Sequence, residues 1–400
     1  MNRIRIHNGQ LILHDRIIPN GTLLIEEGKI IAVEEGNVEF SDAKAIDAKG
    51  AFVSPGFIDI HVHGGGDHDF MDGTEEAFLK VAELHAAHGT TSMMPTTLTA
   101  DTEGILNSIA IYDQALAKNK RGAAFIGLHL EGPYFSLNQR GAQDPKYIRD
   151  PDPSEYNKIL EQGSSIKRWS VAPERKGAIE FGKILCEHGV LPSMAHTDAI
   201  YEEALEAFEN GYTLLTHFYS AMSGVTRKNA FRYAGVVEAG YLHDDLDVEI
   251  IADGVHLPAP LLKLIYKIKG PDRIALITDA MRGAGMPEGN SILGNRATGL
   301  PVIIEDGVAK LPDRSSFAGS VATADRLVWT MMNMAGVPMV EAIRMITHTP
   351  ARIMKLDEKI GSLKPGMDAD INIFDQHIQI RHTLLKGSVE INHEKNNQGN

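Results

Sequence analysis

The chain has 400 residues, of which 43% are hydrophobic, 23% charged and 6% aromatic. This ordinary globular mixture excludes disordered, collagen-like and fibrous proteins. The formal net charge of -14 argues against nucleic-acid binding by general electrostatic attraction. A single cysteine, Cys186, excludes an intramolecular disulfide and every zinc motif built from several cysteines. A metal site in this chain would therefore use the 17 histidines together with Asp or Glu.

The two ends of the chain share a pattern of short strands separated by tight turns. Five segments alternate apolar and polar residues in this way: 3–13, 22–34, 49–54, 369–374 and 378–391. Neither end is long enough to form a stable sheet with its own core, so we expect the two ends to pair. The sequence therefore predicts one small β domain built from residues 1–54 and 358–400.

Residues 1–20 lack the apolar run and the cleavage site of a secretory signal peptide. No stretch of the chain approaches the roughly 18 apolar residues that are needed to span a bilayer. We therefore expect a cytoplasmic protein in a reducing environment, with no membrane among its partners.

The middle of the chain alternates strand-like and helix-like segments. Eight apolar runs have the length of buried strands: 57–61, 91–95, 124–130, 167–172, 190–195, 213–217, 248–252 and 273–278. Helical spacing of apolar residues marks five segments between them: 75–88, 102–118, 175–188, 200–210 and 258–268. The alternation predicts an α/β fold, a (β/α)8 TIM barrel over residues 55–357 flanked by the small β domain. Active sites of such barrels lie at the carboxyl ends of the strands.

Residues that bind metals or move protons close six of the eight predicted strands. In chain order these segments are His61-Val-His63, His129-Leu-Glu131, His196-Thr-Asp198, Thr216-His217, Asp253-Gly-Val-His256 and Thr278-Asp279. A barrel would point them toward one mouth, which is therefore the candidate active site. His61 and His63 share a face of their strand, so both can bind one divalent ion. In isolation, such a pair is better explained by packing and solvation; its place on the first strand favours metal binding.

Glu131, His196 and His217 together supply one glutamate and two histidines at strand ends. This is a known ligand set of catalytic zinc, and it leaves a position open for water. Taken singly, Glu131 could pair with Lys or Arg, and each histidine could be a hydrogen-bonded core residue. Their coincidence favours a metal site.

Asp279 and His256 are the candidates for chemistry beside the metal. Asp279 fits a general base that accepts a proton from water, although it could also cap a helix. His256 could donate to a substrate carbonyl or cap a loop. By contrast, His85, His88 and His188 lie at the ends of predicted helices, where we expect solvated or capping side chains.

In this order the motifs resemble those of the amidohydrolase superfamily. The segments that carry the resemblance are Pro55-Gly-Phe-Ile-Asp-Ile-His-Val-His63, His129-Leu-Glu-Gly-Pro133, Ala195-His-Thr-Asp-Ala199, Ile251-Ala-Asp-Gly-Val-His256, Thr278-Asp-Ala-Met281 and Ala318-Gly-Ser320. The N-terminal strands and residues 361–370 also resemble the flanking β domain of that family, so the match spans nearly the whole chain. Within the superfamily the chain looks like a deacetylase of N-acetylhexosamine 6-phosphates.

The resemblance implies metal-dependent removal of the acetyl group from N-acetylglucosamine 6-phosphate, a phosphorylated amino sugar. The implied roles are the principal metal ion for Glu131, His196 and His217, a second ion for His61 and His63, acid/base catalysis for Asp279, and substrate contact for His256, Ser220, Ala221, Phe317 and Ala318. The family is commonly dimeric, with an arginine of the neighbouring subunit reaching the phosphate. We therefore expect a homodimer.

Two loops depart from the family pattern. Where the family usually has Lys-Gly-Ala-His, this chain has Arg140-Gly-Ala-Gln143, and glutamine can donate a hydrogen bond but carries no charge. We assign Gln143 to substrate binding on the resemblance. Where the family has Gly-Arg-Glu-Pro-Gly, residues 226–235 differ, so Arg227 and Arg232 are both candidates for the phosphate contact. Both changes concern recognition of the sugar and phosphate more than the hydrolysis.

Several alternatives remain open at this point. The metal could be zinc, iron, manganese or cobalt, with one or two ions per subunit. The substrate could be the galactosamine epimer. A deaminase-like amidohydrolase would release ammonia instead of acetate. A dihydroorotase-like enzyme would need a lysine that bridges its metals, and the fourth predicted strand ends in Pro173-Glu174 without such a lysine. A binding protein without turnover is disfavoured by Asp279.

Overall fold

The structure, a computed structural model, describes residues 2–387 and 389–392, so the predicted domain residues 393–400 lie outside the described residues. Within these limits, eight strand positions alternate with eight α-helices. The strands, here called strands one to eight, are Phe57–Val62, Thr90–Pro95, Ala124–Phe125 with Leu128–Glu131, Ile166–Val171, Leu191–Met194, Leu214–Leu215, Asp247–Ile250 and Ile274–Leu276. The helices that follow them, α1 to α8, are Glu75–Ala87, Thr102–Lys118, Pro153–Leu160, Ala178–Glu187, Tyr201–Glu209, Val236–Leu242, Ala259–Lys269 and Ala324–Thr330. Each predicted strand segment overlaps one of these strands, and the five predicted helices correspond to α1, α2, α4, α5 and α7.

The strands of this repeat run parallel and follow one another in chain order. Strand one pairs with strand two, which pairs with the first part of strand three, and strands three to eight form a second sheet. A bridge between Thr96 and His129 joins strands two and three. At the other edge the N–H of Asp279 donates to His61 O at 2.9 Å, linking the end of strand eight to strand one. The strands therefore curl into a TIM-barrel-like domain whose carboxyl ends meet at one mouth.

Helix α1 illustrates how the outer helices pack on the strands. The Thr74 hydroxyl caps the helix by accepting from Ala77 N at 3.2 Å, and Phe78 and Val81 are fully buried one turn further on. The expectation that His85 is solvated or capping is wrong, because His85 is fully buried and its Nε2 hydrogen-bonds to Gly64 O at 3.0 Å. Its polar edge thus supports the loop that follows strand one.

A separate sheet outside the barrel, which we call the end sheet, combines the two chain ends. Among the described residues its eight strands are Arg3–Ile12, Ile17–Glu26, Lys29–Glu35, Lys44–Asp47, Phe52–Pro55, Ile371–Phe374, Ile380–Leu385 and Val389–Asn392. Phe52–Pro55 pairs with Arg3–Ile12 on one side and Ile371–Phe374 on the other, so it connects the N-terminal strands to the C-terminal ones. The core of the end sheet is aliphatic and includes Ile6 and Leu11.

A smaller sheet that the sequence did not predict lies between strand eight and α8. Its four strands are Gly289–Leu293, Leu300–Glu305, Val308–Lys310 and Phe317–Ser320. The last of them reaches the mouth of the barrel, where Ser320 N donates to Asp279 O at 2.8 Å. Two further helices, α9 (Met339–Ile346) and α10 (His348–Ile353), lead to the C-terminal strands. Among the described helices, none has both the length and the apolar character required to cross a membrane.

Candidate active site

Three candidate residues leave their strands through a sharp backbone turn. His196, His217 and Asp279 have positive φ angles of 46°, 33° and 47°. Residues with a Cβ rarely adopt this left-handed conformation, which costs roughly 1–3 kcal/mol each and clusters at functional sites. The hydrogen bonds of Asp279 to strand one and to Ser320 hold one of these turns in place. All three side chains line the same cavity at the barrel mouth.

The first cluster contains Glu131, His196 and His217. His217 Nε2 lies 3.1 Å from Glu131 Oε1 and 3.2 Å from His196 Nε2, and all three side chains are buried. Backbone carbonyls occupy the other ring nitrogens, since His196 Nδ1 donates to Gln139 O at 2.7 Å and His217 Nδ1 donates to Ser220 O at 3.1 Å. A carbonyl can only accept, so these bonds fix both tautomers and leave the Nε2 lone pairs facing Glu131.

The second cluster contains His61, His63 and Asp279. His61 Nε2 and His63 Nε2 are 3.2 Å apart, and His63 Nε2 lies 3.1 Å from Asp279 Oδ1. His63 Nδ1 donates to Thr96 O at 3.2 Å, which again leaves Nε2 to the cluster. Glu131 lies between the clusters, because its two carboxylate oxygens are each 3.4 Å from one of the Nε2 atoms of His61 and His63.

Both clusters offer the donors that divalent transition-metal ions prefer. Within each cluster, one potential ligand atom per residue lies within 4.8 Å of the others. Imidazole nitrogen combined with carboxylate oxygen suits zinc, iron, manganese and cobalt. The position of Glu131 between the clusters allows it to face both. The donor set therefore fits a centre of one or two divalent ions.

The charges of the two clusters are strongly coupled. Although burial opposes ionisation, nearby histidines hold the pKa of Glu131 well below its usual value, and His61 and His63 lower the pKa of Asp279. Against the effect of burial, the carboxylates of Glu131 and Asp279 raise the pKa of His61 to about 10. The carboxylates are therefore ionised and balanced by adjacent positive charge. A divalent cation can take over that role when its ligands release their protons.

A cavity of about 170 Å³ opens above the two clusters. The predicted site residues on its wall are His63, Glu131, Gln143, His196, His217, Ser220, Ala221, His256, Asp279 and Phe317. His61 and Ala318 do not line it and are fully buried next to residues that do. The structure thus brings twelve of the fourteen candidate residues to one mouth.

The remaining two candidates, Arg227 and Arg232, lie on an exposed hairpin. They face each other across its strands, Thr226–Lys228 and Phe231–Tyr233, and neither lines the cavity of its own chain. The hairpin follows Ser220 and Ala221, which are part of the cavity wall. A role for either arginine at this cavity stays a prediction.

His256 is held at the cavity wall by Asp253. Its Nδ1 donates to Asp253 Oδ2 at 2.8 Å, and its backbone N–H donates to Asp253 Oδ1 at 2.8 Å. Its ring packs against Phe317 with centroids 4.7 Å apart. Although burial opposes ionisation, His256 lowers the pKa of Asp253, so this carboxylate is charged. The arrangement leaves Nε2 of His256 available to a ligand in the cavity.

Gln143 contacts the first cluster directly. Its side-chain nitrogen donates to Glu131 Oε2 at 2.7 Å, and its side-chain oxygen accepts from Thr99 N at 2.9 Å. The side chain is buried and spans the space between strand two and Glu131. Gln143 therefore orients Glu131, in addition to lining the cavity.

An ion pair between two charged residues inside the barrel was not predicted from the sequence. Arg168 on strand four and Glu249 on strand seven are fully buried and form an ion pair. The signal was present, because a charged side chain in an otherwise apolar strand must find a buried partner. Sequence alone does not reveal that strands four and seven bring these two side chains together.

Comparison with known proteins agrees with this geometry. The family model described as the amidohydrolase family matches residues 52–397. An N-acetylglucosamine-6-phosphate deacetylase of Lysinibacillus sphaericus is 33% identical over 92% of each chain. An N-acetylgalactosamine-6-phosphate deacetylase of Escherichia coli O157:H7 is 31% identical over 95% of this chain and 97% of that protein.

A solved structure shares nearly the whole fold. The crystal structure of N-acetylglucosamine-6-phosphate deacetylase from Pasteurella multocida superimposes with a TM-score of 0.91, at 26% identity, over 98% of this chain and 100% of that one. The match includes both the barrel and the end sheet, because it leaves almost no residues of either chain uncovered. With the family model covering most of the chain and the donor clusters at the strand ends, this protein belongs to the amidohydrolase family.

Proposed function

We propose that this protein is a metal-dependent deacetylase, a hydrolase of a linear amide bond. Its substrate is N-acetylglucosamine 6-phosphate, and its products are glucosamine 6-phosphate and acetate. The observation that carries the proposal is the meeting of Glu131, His196, His217 and Asp279 at one cavity. The N-acetylglucosamine-6-phosphate deacetylase of Lysinibacillus sphaericus, which this chain matches over 92% of that protein's length, also supports the proposal.

The chain's own residues divide the work of the hydrolysis. Glu131, His196 and His217 would hold the principal divalent ion, and His61 and His63 would help to hold a second. A bound ion would supply Lewis-acid chemistry, polarising the acetyl carbonyl and lowering the pKa of the attacking water. The metal could be zinc, iron, manganese or cobalt.

Asp279 is the acid/base residue in this mechanism. Its low pKa keeps the carboxylate ionised and ready to accept the proton of the attacking water. After the amide carbon has been attacked, Asp279 returns that proton to the leaving amine. His256 donates from Nε2 to the acetyl oxygen, where negative charge develops, and its hydrogen bond to Asp253 orients the ring.

The sugar and its phosphate need contacts beyond this cluster. Ser220, Ala221 and Phe317 line the cavity and contact the sugar, and Ala318 is buried directly beside Phe317. For the phosphate we assign Arg227 or Arg232, which would reach the cavity of a neighbouring subunit in a homodimer; their exposure on the hairpin is compatible with this. We also infer that residues 1–54 and 358–400 act as a small β domain beside a barrel domain of residues 55–357.

Acetate release tests the proposal. The purified protein should contain divalent metal by elemental analysis and release acetate from N-acetylglucosamine 6-phosphate, but poorly from the unphosphorylated sugar. The galactosamine epimer is the second candidate substrate, because the Escherichia coli relative carries that name. A higher kcat/KM for the galactosamine ester would reassign the substrate, and release of ammonia without acetate would contradict deacetylation.

A further inference from the structure

A layer of buried polar side chains lies inside the barrel, on the amino-terminal side of the candidate ligands. We call it the polar layer; its members are His129, Arg168, Ser170, Ser193, Thr216 and Glu249, all fully buried. Layers inside TIM barrels are normally filled by Val, Ile and Leu. Replacing a buried ion pair with well-packed apolar residues is often neutral or stabilising. Stability therefore does not account for the presence of Arg168 and Glu249.

Arg168 uses all five of its N–H donors inside this layer. Both terminal nitrogens bind Glu249, and the Nη2 contact to Oε2 measures 2.8 Å. The other donors reach Ser193 Oγ at 3.1 Å, Thr216 Oγ1 at 2.8 Å and Ile60 O at 3.1 Å. Ile60 and Thr216 are each followed in the chain by a candidate metal ligand. Arg168 therefore ties two ligand-bearing strands to the carboxylate of Glu249.

Glu249 in turn faces His61. Glu249 Oε2 lies 3.6 Å from His61 Nδ1, whereas His61 Nε2 is directed at the cluster, 3.2 Å from His63 Nε2. His61 Nδ1 is buried and makes no hydrogen bond to the described residues. A buried polar atom without a partner costs free energy, and the carboxylate of Glu249 is the acceptor beside it.

We propose that Glu249 is a positioning residue for His61. When Nε2 of His61 binds a divalent ion, Nδ1–H donates to Glu249, while Arg168 holds that carboxylate and the neighbouring strands. Metal-binding histidines usually donate their other ring N–H in this way, which fixes the tautomer and the orientation of the ring. In this role the buried ion pair orients a metal ligand, which accounts for its presence despite the free energy that its desolvation costs. The inference rests on the metal-dependent function proposed above.

A double variant tests this role without leaving a charge unpaired. In Arg168→Met/Glu249→Met, apolar side chains of similar length replace the pair, so we expect the protein to fold. Titration with Co²⁺, followed by visible absorption, reports the affinity and ligand geometry of each ion. We expect the affinity for the ion bound by His61 to fall about 10–100-fold and its spectrum to change. Wild-type affinity and spectrum for every bound Co²⁺ would overturn the proposal.

Asp247 offers a matched control on the same strand. It lies two residues before Glu249, is buried, and accepts from Arg352 at 2.7 and 3.1 Å instead of facing a candidate ligand. Asp247→Asn should lower the Tm and leave Co²⁺ binding unchanged. An equal loss of Co²⁺ affinity in both variants would assign the effect to general destabilisation and overturn the proposal.

A crystal structure of the wild-type protein grown with Co²⁺ keeps the proposal testable if the double variant fails to fold. We expect His61 Nδ1 and a Glu249 oxygen to approach to about 3.2 Å or less. A longer separation, or another acceptor on Nδ1, would overturn the proposal. Wild-type protein that binds Co²⁺ but releases no acetate would overturn the proposed function alone, whereas protein that binds no Co²⁺ would overturn both.

Discussion

The barrel interior and the end sheet bury their side chains in opposite ways. The end sheet packs Ile6, Leu11 and Val53 into an aliphatic core, where each apolar side chain contributes roughly 1.5–3 kcal/mol on burial. The barrel interior instead buries Arg168 and Glu249, whose desolvation opposes folding. Burial therefore stabilises the end sheet, whereas the barrel interior contains a buried ion pair, unfavourable to desolvate, next to the candidate metal ligands.

This contrast predicts that activity and stability respond separately to substitution. Changes at the barrel mouth should remove turnover and leave the free energy of unfolding nearly constant. Changes in the core of the end sheet should lower that free energy and leave kcat unchanged. A substitution that alters both quantities together in either region would break the distinction.

The largest effect is expected for Asp279→Asn at the barrel mouth. The amide cannot accept a proton from water, so kcat should fall about 10³-fold or more, while metal remains bound by the other ligands. Steady-state acetate release and elemental analysis of the same preparation check both statements. Near-normal turnover in this variant would refute the role of Asp279, and loss of metal would assign it to metal binding instead.

The next effect concerns the end sheet. Ile6→Ala removes a fully buried side chain and should lower the free energy of unfolding by about 3 kcal/mol, with kcat unchanged. Urea denaturation and acetate release measure the two quantities. Ile31, which is 40% exposed on a strand of the same sheet, supplies the control, and Ile31→Ala should change stability by no more than about 0.5 kcal/mol. A fall in kcat for Ile6→Ala would show that the end sheet supports the site.

A smaller effect is expected at Gln143. Gln143→Leu removes the N–H that donates to Glu131 Oε2, and loss of such a supporting bond costs about 10–100-fold in activity or metal affinity. Gln139→Leu is the matched control, since the Gln139 side chain bonds to Asp198 while only its backbone carbonyl holds His196. Equal losses of activity or metal affinity in both variants would contradict a specific role of the Gln143 side chain in orienting Glu131.

Much of the architecture could be predicted because it depends on local sequence. The apolar runs predicted the positions of all eight strands, and the residues that follow them include both candidate metal-binding clusters, since parallel strands present their carboxyl ends at one mouth. The His-x-His spacing put His61 and His63 on one face, and the structure brings their Nε2 atoms to 3.2 Å.

What could not be predicted depends on contacts between distant parts of the chain. Arg168 and Glu249 are 81 residues apart, so their pairing exists only after strands four and seven have packed in the barrel. His85 looked like a surface residue because its burial is set by the loop at Gly64. The small sheet over residues 289–320 was missed because its strands have only three to six residues each and pair antiparallel, outside the alternation of strands and helices that predicts the barrel.

Asp370, next to the end sheet, allows a comparison of two buried carboxylates, one with and one without an arginine partner among the described residues. Like Glu249 it is a buried carboxylate, but burial raises its pKa to about 6, whereas Arg168 overcomes burial and lowers the pKa of Glu249. A folded-state pKa above the unfolded value of 3.8 means that the folded protein binds more protons between about pH 4 and 6, so stability falls as pH rises through that range. Above pH 6 the carboxylate is ionised while still buried, so its desolvation lowers the free energy of unfolding by the full amount.

Asp370→Asn should therefore stabilise the protein at neutral pH. The two-unit pKa difference sets a limit of roughly 3 kcal/mol, and we expect a gain of about 1–2 kcal/mol because the site relaxes around the charge. The amide oxygen can still accept from Lys386 N, which donates to Asp370 Oδ1 at 2.8 Å. Urea denaturation at pH 4.5 and 7.5 separates the outcomes: the gain should be full at pH 7.5 and fall to about a third of that value at pH 4.5, where the carboxyl group is protonated in the folded protein but still mostly ionised in the unfolded chain. An equal difference at both pH values would mean that packing, and not the buried charge, distinguishes the variant.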